Sequence, residues 1–139
     1  MSEFRSDVSL RDATVQEIQW ELIRRTQHNA LDGEQLVAFL TRHRHLWTAV
    51  LLDKLMVWVR DHRLPLLGLI KLRDLPKNDW NTDTLYILTE NKENAHTLAR
   101  LFEEFQMAGM PLVYDDHAEI QASLGIGLEG PALVSVWWD

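Results

Sequence analysis

Asp115, Asp116 and His117 stand side by side in "YDDHAE", just after the short apolar run "MPLVY". Adjacent carboxylates and an imidazole can pass a proton as acid and base, or hold a metal ion. The pattern places them after a parallel strand, and in open α/β sheets ligands gather at the carboxyl ends of strands. Thr89, Glu90 and Asn91 end the preceding strand and would meet them there. Asp116 suits the N-cap of a short helix equally well, which is the commoner use of such a residue. No Ser-His-Asp set, P-loop or G-x-S-x-G pattern accompanies them. No residue is therefore assigned a catalytic role, and these three stand as the nearest candidates.

Three other stretches imitate chemical motifs. "GIGLEG" (125–130) matches the dinucleotide fingerprint G-x-G-x-x-G letter for letter. That fingerprint must follow a strand and open a helix, with an acidic residue for the ribose about 20 positions later. Here the glycines follow a short helical pattern and precede Pro131, and only nine residues remain after Gly130. The match is accidental. "HAE" (117–119) has the H-x-E half of a zinc deaminase site, but that metal also needs cysteine ligands, and the chain has none. In "RHRHLW", His43 and His45 point about 200° apart on a helix and cannot share one ion. His43 continues an apolar stripe, whereas Arg42, Arg44, Arg60 and Arg63 form a basic cluster that nearby acids largely offset. No metal or cofactor is expected, and the cluster lacks any reading motif that would favour nucleic acid.

The elements that would position these residues are legible in part. Thr14 and Glu17 form a capping box, and Val15, Ile18, Leu22 and Ile23 continue as a helical stripe to about His28. Asp32 caps a second helix, with Leu36, Phe39, Leu40, His43 and Trp47 at steps of three or four. Apolar spacing then persists through Leu51, Leu55 and Trp58, read as helix with a strand as the competitor. Pro65 ends that element. Strands are expected at 66–72 and 84–89. A helix from about residue 92 follows, burying Ala95, Leu98, Leu101, Phe102 and Phe105 and stopping at Gly109. "MPLVY", a short helix "HAEIQASLG" and a last strand "ALVSVWWD" complete the order β-β-α-β-α-β. The expectation is a single domain over 1–139. It would be α+β or α/β, with a helical portion at about 13–63 packed on a small mixed sheet over about 66–138, which contains a right-handed βαβ crossover from Thr84 to Tyr114.

Composition narrows function more than the motifs do. The chain has 139 residues, 46% hydrophobic and 25% charged, and no apolar run approaching the roughly 20 residues of a membrane span. Residues 1–13 carry acids and lack the apolar core of a secretory signal, so the expected location is cytoplasmic. Net charge is −7, divided as 11 Lys/Arg against 10 Asp/Glu over 1–75 and 3 against 11 over 76–139, or +1 and −8. An acidic half of this kind can steer a basic partner. Of six tryptophans, Trp47 and Trp58 lie on a buried stripe and Trp20 near the edge of another, whereas Trp80 sits in the polar loop "KNDWNTD". Trp137 and Trp138 are consecutive in a strand and must face opposite ways. Exposed tryptophan is enriched at binding hot spots. The expectation is a non-enzymatic protein-interaction domain of regulator, adaptor or toxin-neutralising type. It would bind a protein or self-associate through Trp80, Trp137, Glu103 and Glu104, without membrane contact. The alternative is a small-ligand or enzymatic domain at Thr89–Asn91 and Asp115–His117.

Overall fold

A computed structural model describes residues 5, 7–52, 75–124 and 130–139. The strand expected at 66–72, the glycine loop at 125–129, and Trp58, Arg60 and Arg63 lie outside the described residues. The elements in order are α1 (Val15–Arg24), β1 (Gln27–His28), β2 (Leu31–Asp32), α2 (Gly33–Arg42), β3 (Ala49–Leu52), β4 (Thr84–Thr89), α3 (Lys92–Glu104), β5 (Gly109–Tyr114), α4 (His117–Leu124) and β6 (Ala132–Trp138). Short 3-10 turns occupy Arg44–Leu46 and Leu75–Lys77. The class is α+β.

Local chemistry starts the helices. Thr14 Oγ1 accepts from the Glu17 N–H at 3.1 Å and the Glu17 carboxylate accepts from the Thr14 N–H at 2.9 Å, closing the capping box. Glu17 is buried, and Arg5 reaches back to both of its oxygens at 2.8 Å. α1 stops at Arg24, short of the expected His28, because Gln27–His28 pairs with Leu31–Asp32 in a tight hairpin turning at Asn29 (φ 52°). Asp32 then caps α2 through the Glu34 and Gln35 N–H groups. Gly33 lets the two helices meet. A Cβ there would collide with the Ile23 carbonyl and lie 2.6 Å from that of Arg24.

Two sequence expectations need correction here. The helix read through Trp47 and Leu51 is instead a strand from Ala49, because Ala49–Leu52 pairs antiparallel with Leu85–Leu88. Its apolar run is compatible with either period, and non-local pairing decides. The four-stranded sheet has the order β3-β4-β6-β5 and every ladder in it is antiparallel, so the sheet is not mixed. β4 and β5 run the same way and are joined through α3, but they do not pair, because β6 lies between them. The expected parallel neighbours are therefore separated by the last strand of the chain.

Among the described residues β3 is an edge strand, and α1 closes that edge. The Gln16 side chain accepts from the Val50 N–H at 2.9 Å and donates to the Val50 carbonyl at 2.7 Å, as a neighbouring strand would. Gln19 accepts from the Leu52 N–H at 3.1 Å. Open strand edges invite pairing with other chains, and these amides occupy the groups involved.

The core lies between the sheet and the helices. Asn91 caps α3 through the Asn94 N–H at 2.8 Å, and Ala95, Leu98 and Phe102 are buried. Phe102 meets Phe39 of α2 at 4.6 Å and Trp138 of β6 at 6.3 Å between ring centroids. Trp47 stacks on Trp20 at 5.4 Å, donates its indole N–H to the Leu40 carbonyl at 2.8 Å, and carries the Arg44 guanidinium 4.0 Å above its ring. Phe105, expected inside, is 50% exposed because α3 ends at Glu104 and the chain turns away. That turn uses left-handed Gln106 and Ala108 (φ 50° and 60°), not Gly109. Gly109 serves another need. A Cβ there would strike Val136 and come 2.8 Å from Cε2 of Trp138.

Hydrogen bonding by Arg5, then by the Thr14 N–H, holds the Glu17 carboxyl at about 2, well below its ordinary 4.5. A depressed folded value contributes stability above the unfolded value that is lost as pH falls through the folded one. Glu17→Gln should therefore lower stability at neutral pH and flatten the loss between pH 4.5 and about 2. Urea midpoints across that range test it, and an acid limb of unchanged slope would contradict the assignment.

Candidate functional site

β6 divides the sheet into two faces of opposite character. Ala132, Val134, Val136 and Trp138 point to the α3 side with Leu85 and Ile87 of β4 and Val50 of β3, and all are at most 1% exposed. The alternate positions form the other face in three cross-strand rows. These are Thr84–Trp137–Met110, Tyr86–Ser135–Leu112 and Leu88–Leu133–Tyr114, reading from β4 through β6 to β5. Directly opposed residues of antiparallel strands share a face. Trp137 is 40% exposed, Met110 53% and Leu112 55%, so the first two rows leave an apolar strip uncovered.

At the third row the face deepens into a hollow of about 460 Å³, lined by Leu51, Leu52, Tyr86, Tyr114, Leu133 and, from α4, Glu119 and Ile120. The volume lies within the range of small-molecule and anchor pockets. Ile120 is buried there, which fixes α4 over this end of the face and leaves the Trp137 end open. Glu119 lines the hollow, whereas Asp115, next to Tyr114 in sequence, turns to His96 of α3 on the other side of the sheet. β3, β4, β5, β6 and α4 contain no lysine or arginine.

The strand-end candidates lie at one end of the sheet, where both β4 and β5 finish, but most are committed to structure. Thr89 is fully buried, and its hydroxyl bonds the Asn91 carbonyl at 2.9 Å and the Ala132 carbonyl at 3.0 Å. Asn91 caps α3. Asp116 accepts from the Glu119 N–H at 3.1 Å and so caps α4. Glu90 is exposed. Asp115 pairs with His96 of α3 at 3.5 Å, with both side chains more than half exposed. His117 is half-buried, and its Nδ1 is buried without a hydrogen-bond partner. Among the described residues no three His, Asp or Glu side chains are grouped to hold a metal ion.

The partner candidates separate. Trp137 lies on the open face. Glu103 and Glu104 are exposed on α3, beyond the opposite face, and Glu104 stands 3.6 Å from Arg100. Trp80 is half-buried, not projecting from its loop. Its backbone is held by the hairpin region, donating to the Arg25 carbonyl at 3.0 Å and accepting from the Gln27 N–H at 3.3 Å. Met110 and Leu112 were not among the expected contact residues. Their signal is present in "MPLVY", where alternate positions stay apolar on the side that would ordinarily be polar.

Comparison with known proteins finds no family model that matches the chain, no match among curated proteins and none among solved structures. No described helix is long and apolar enough to cross a membrane. The arrangement on the sheet therefore carries the functional reading by itself.

The division of labour at the strand ends is directly testable. Asp116→Ala should cost about 0.5–2 kcal/mol as a lost helix cap. Asp115→Ala, which caps nothing, should stay within about 0.5 kcal/mol of the parent protein. Denaturant midpoints separate the two, and equal losses would refute the assignment.

Proposed function

We propose that this chain is a non-enzymatic protein-interaction domain of regulator, adaptor or toxin-neutralising type, binding its partner through the open face of the sheet. The observation that carries the reading is the exposed strip of Trp137, Met110 and Leu112 running into an apolar hollow. Single exposed apolar residues are ordinary, whereas contiguous apolar surface rimmed by polar groups marks interaction sites. Tryptophan at such a centre tends to dominate binding energy. Glu119, which lines the hollow, favours a basic side chain there. Trp80, Glu103 and Glu104 take no part in this surface. The alternative, a small-ligand or catalytic site at the strand ends, loses support because Thr89, Asn91 and Asp116 serve loop closure and helix capping.

Photo-crosslinking tests the proposal. A photoreactive side chain placed at Leu112, and a second at exposed Ala38 of α2 as control, should give a partner adduct only at Leu112. In the purified complex Trp137→Ala should then weaken binding by about 2 kcal/mol or more, while circular dichroism shows the fold retained. Identical adducts from both positions, or an affinity indifferent to Trp137, would overturn the reading.

A further inference from the structure

His43, the residue that follows α2, sits among rings. Its imidazole lies 4.8 Å from the ring of Phe39 and 5.9 Å from that of Phe105, between centroids. Phe39 also meets Phe105 at 6.1 Å and Phe102 at 4.6 Å, so one aromatic cluster joins the C-terminal ends of α2 and α3. Nε2 of His43 is buried there without a hydrogen-bond partner. A neutral imidazole tolerates this, because its one proton can sit on Nδ1 and leave a lone pair at Nε2. An imidazolium does not. Both nitrogens are then donors, and a charged N–H would be sealed in apolar surroundings. The charged groups around the ring give no relief. Burial, then Arg42 on α2 and His45 on the following turn, lower the His43 pKa from its ordinary 6.5. Arg44 is turned to Trp47, with its guanidinium 4.0 Å above that ring. On α3, Glu103 and Glu104 precede Phe105 and are exposed, and Glu104 stands 3.6 Å from Arg100. Among the described residues no carboxylate pairs with His43.

Relief must come from the member of the cluster that is able to move. Phe39 and Phe102 are buried, whereas Phe105 is half-exposed and follows the last residue of α3. The chain then enters the turn with left-handed Gln106 and Ala108. Such conformations are uncommon outside glycine and persist where the surroundings over-determine them. Here one support is the Phe105 contact. The other is Met107, whose carbonyl accepts from the Trp138 indole N–H at 2.9 Å. Losing the first leaves the turn held from one side only. We propose that His43 is a pH-sensitive latch for the turn at 105–108. The neutral ring packs on Phe105 and fastens that turn to the end of α2. The protonated ring leaves the cluster for water, and Phe105 and the turn come free while the sheet stays paired. A base held below its unfolded value contributes stability that is present above 6.5 and lost as pH falls through the folded value. The latch therefore opens on acidification, in the histidine range and above the pH at which Glu17 titrates.

The test is nuclear magnetic resonance on the full chain from about pH 8 to about pH 5. The His43 ring should titrate below 6.5. Amide hydrogen exchange reads the turn through Phe105, Gln106 and Met107, whose N–H groups bond the Leu101, Glu103 and Phe102 carbonyls. Their protection factors should fall about fivefold or more across the titration, while those of Val134 and Val136 in β6 hold. His43→Phe keeps an apolar ring that cannot ionise, and its protection at the turn should not change with pH. Phe105→Ala removes a half-exposed side chain and leaves the buried rings in place. It should show low protection at the turn at every pH, with His43 returning toward 6.5. Titration of His43 at or above 6.5 would mean that the phenyl faces stabilise the imidazolium, and would overturn the latch. So would a loss of protection that persists in His43→Phe, because another group would then cause it. Equal loss at Val134 and Val136 would make protonation a global event and overturn the local opening. An unchanged His43 titration in Phe105→Ala would remove Phe105 from the device.

Discussion

The structure depends on the alternation of β6. Ala132, Val134, Val136 and Trp138 are sealed against α3, and the ring of Trp138 sets the terms for its neighbours. Its indole N–H donates to the Met107 carbonyl at 2.9 Å, inside the turn that ends α3. Phe102 meets its edge, and Gly109 must lack a side chain for the ring to fit. Asn29 of the first hairpin donates to the Trp138 carbonyl at 3.1 Å, and Ala30 donates to that of Asp139 at 3.0 Å. Hairpin, helix end and strand are thus all referred to one residue. A strand with period two cannot seal one set of positions without turning Leu133, Ser135 and Trp137 the other way.

That second set gives the sheet its functional asymmetry. Ser135 and Leu133 are covered, whereas Trp137 and its β5 neighbours are not. An apolar face left open would ordinarily risk edge-to-edge association as well. Here the two edges are managed independently, by the side-chain amides of α1 on one side and by Pro111 on the other. Closed edges and an open face are the features on which the proposed interaction surface rests.

The helices were legible because their signals are local. Thr14 with Glu17, Asp32 and Asn91 each stop a helix from starting elsewhere by satisfying particular N–H groups. β3 was not legible as a strand, since its apolar neighbours suit both periods and the glutamines that close its edge sit 33 or 34 residues earlier. Nor was the antiparallel order, because a strand–helix–strand sequence looks the same whether the two strands pair or a later strand separates them. Residue type makes Gly109 the expected helix stop, but two non-glycine residues take the left-handed positions. The site was half visible. Alternation placed Trp137 and Trp138 on opposite faces, yet which indole was buried depended on α3 choosing a side. The polar neighbours of Trp80 suggest a projecting ring, whereas backbone pairing with Arg25 and Gln27 holds it half-buried.

The central claim is that one face of the sheet is sealed and the other open to solvent. Nuclear magnetic resonance with a soluble nitroxide measures this at each side chain in the free protein. Broadening should be strong for the Met110 methyl, the Leu112 methyls and the Trp137 indole, and weak for Val134, Val136 and the Trp138 indole. Equal protection of Trp137 and Trp138 would contradict the account.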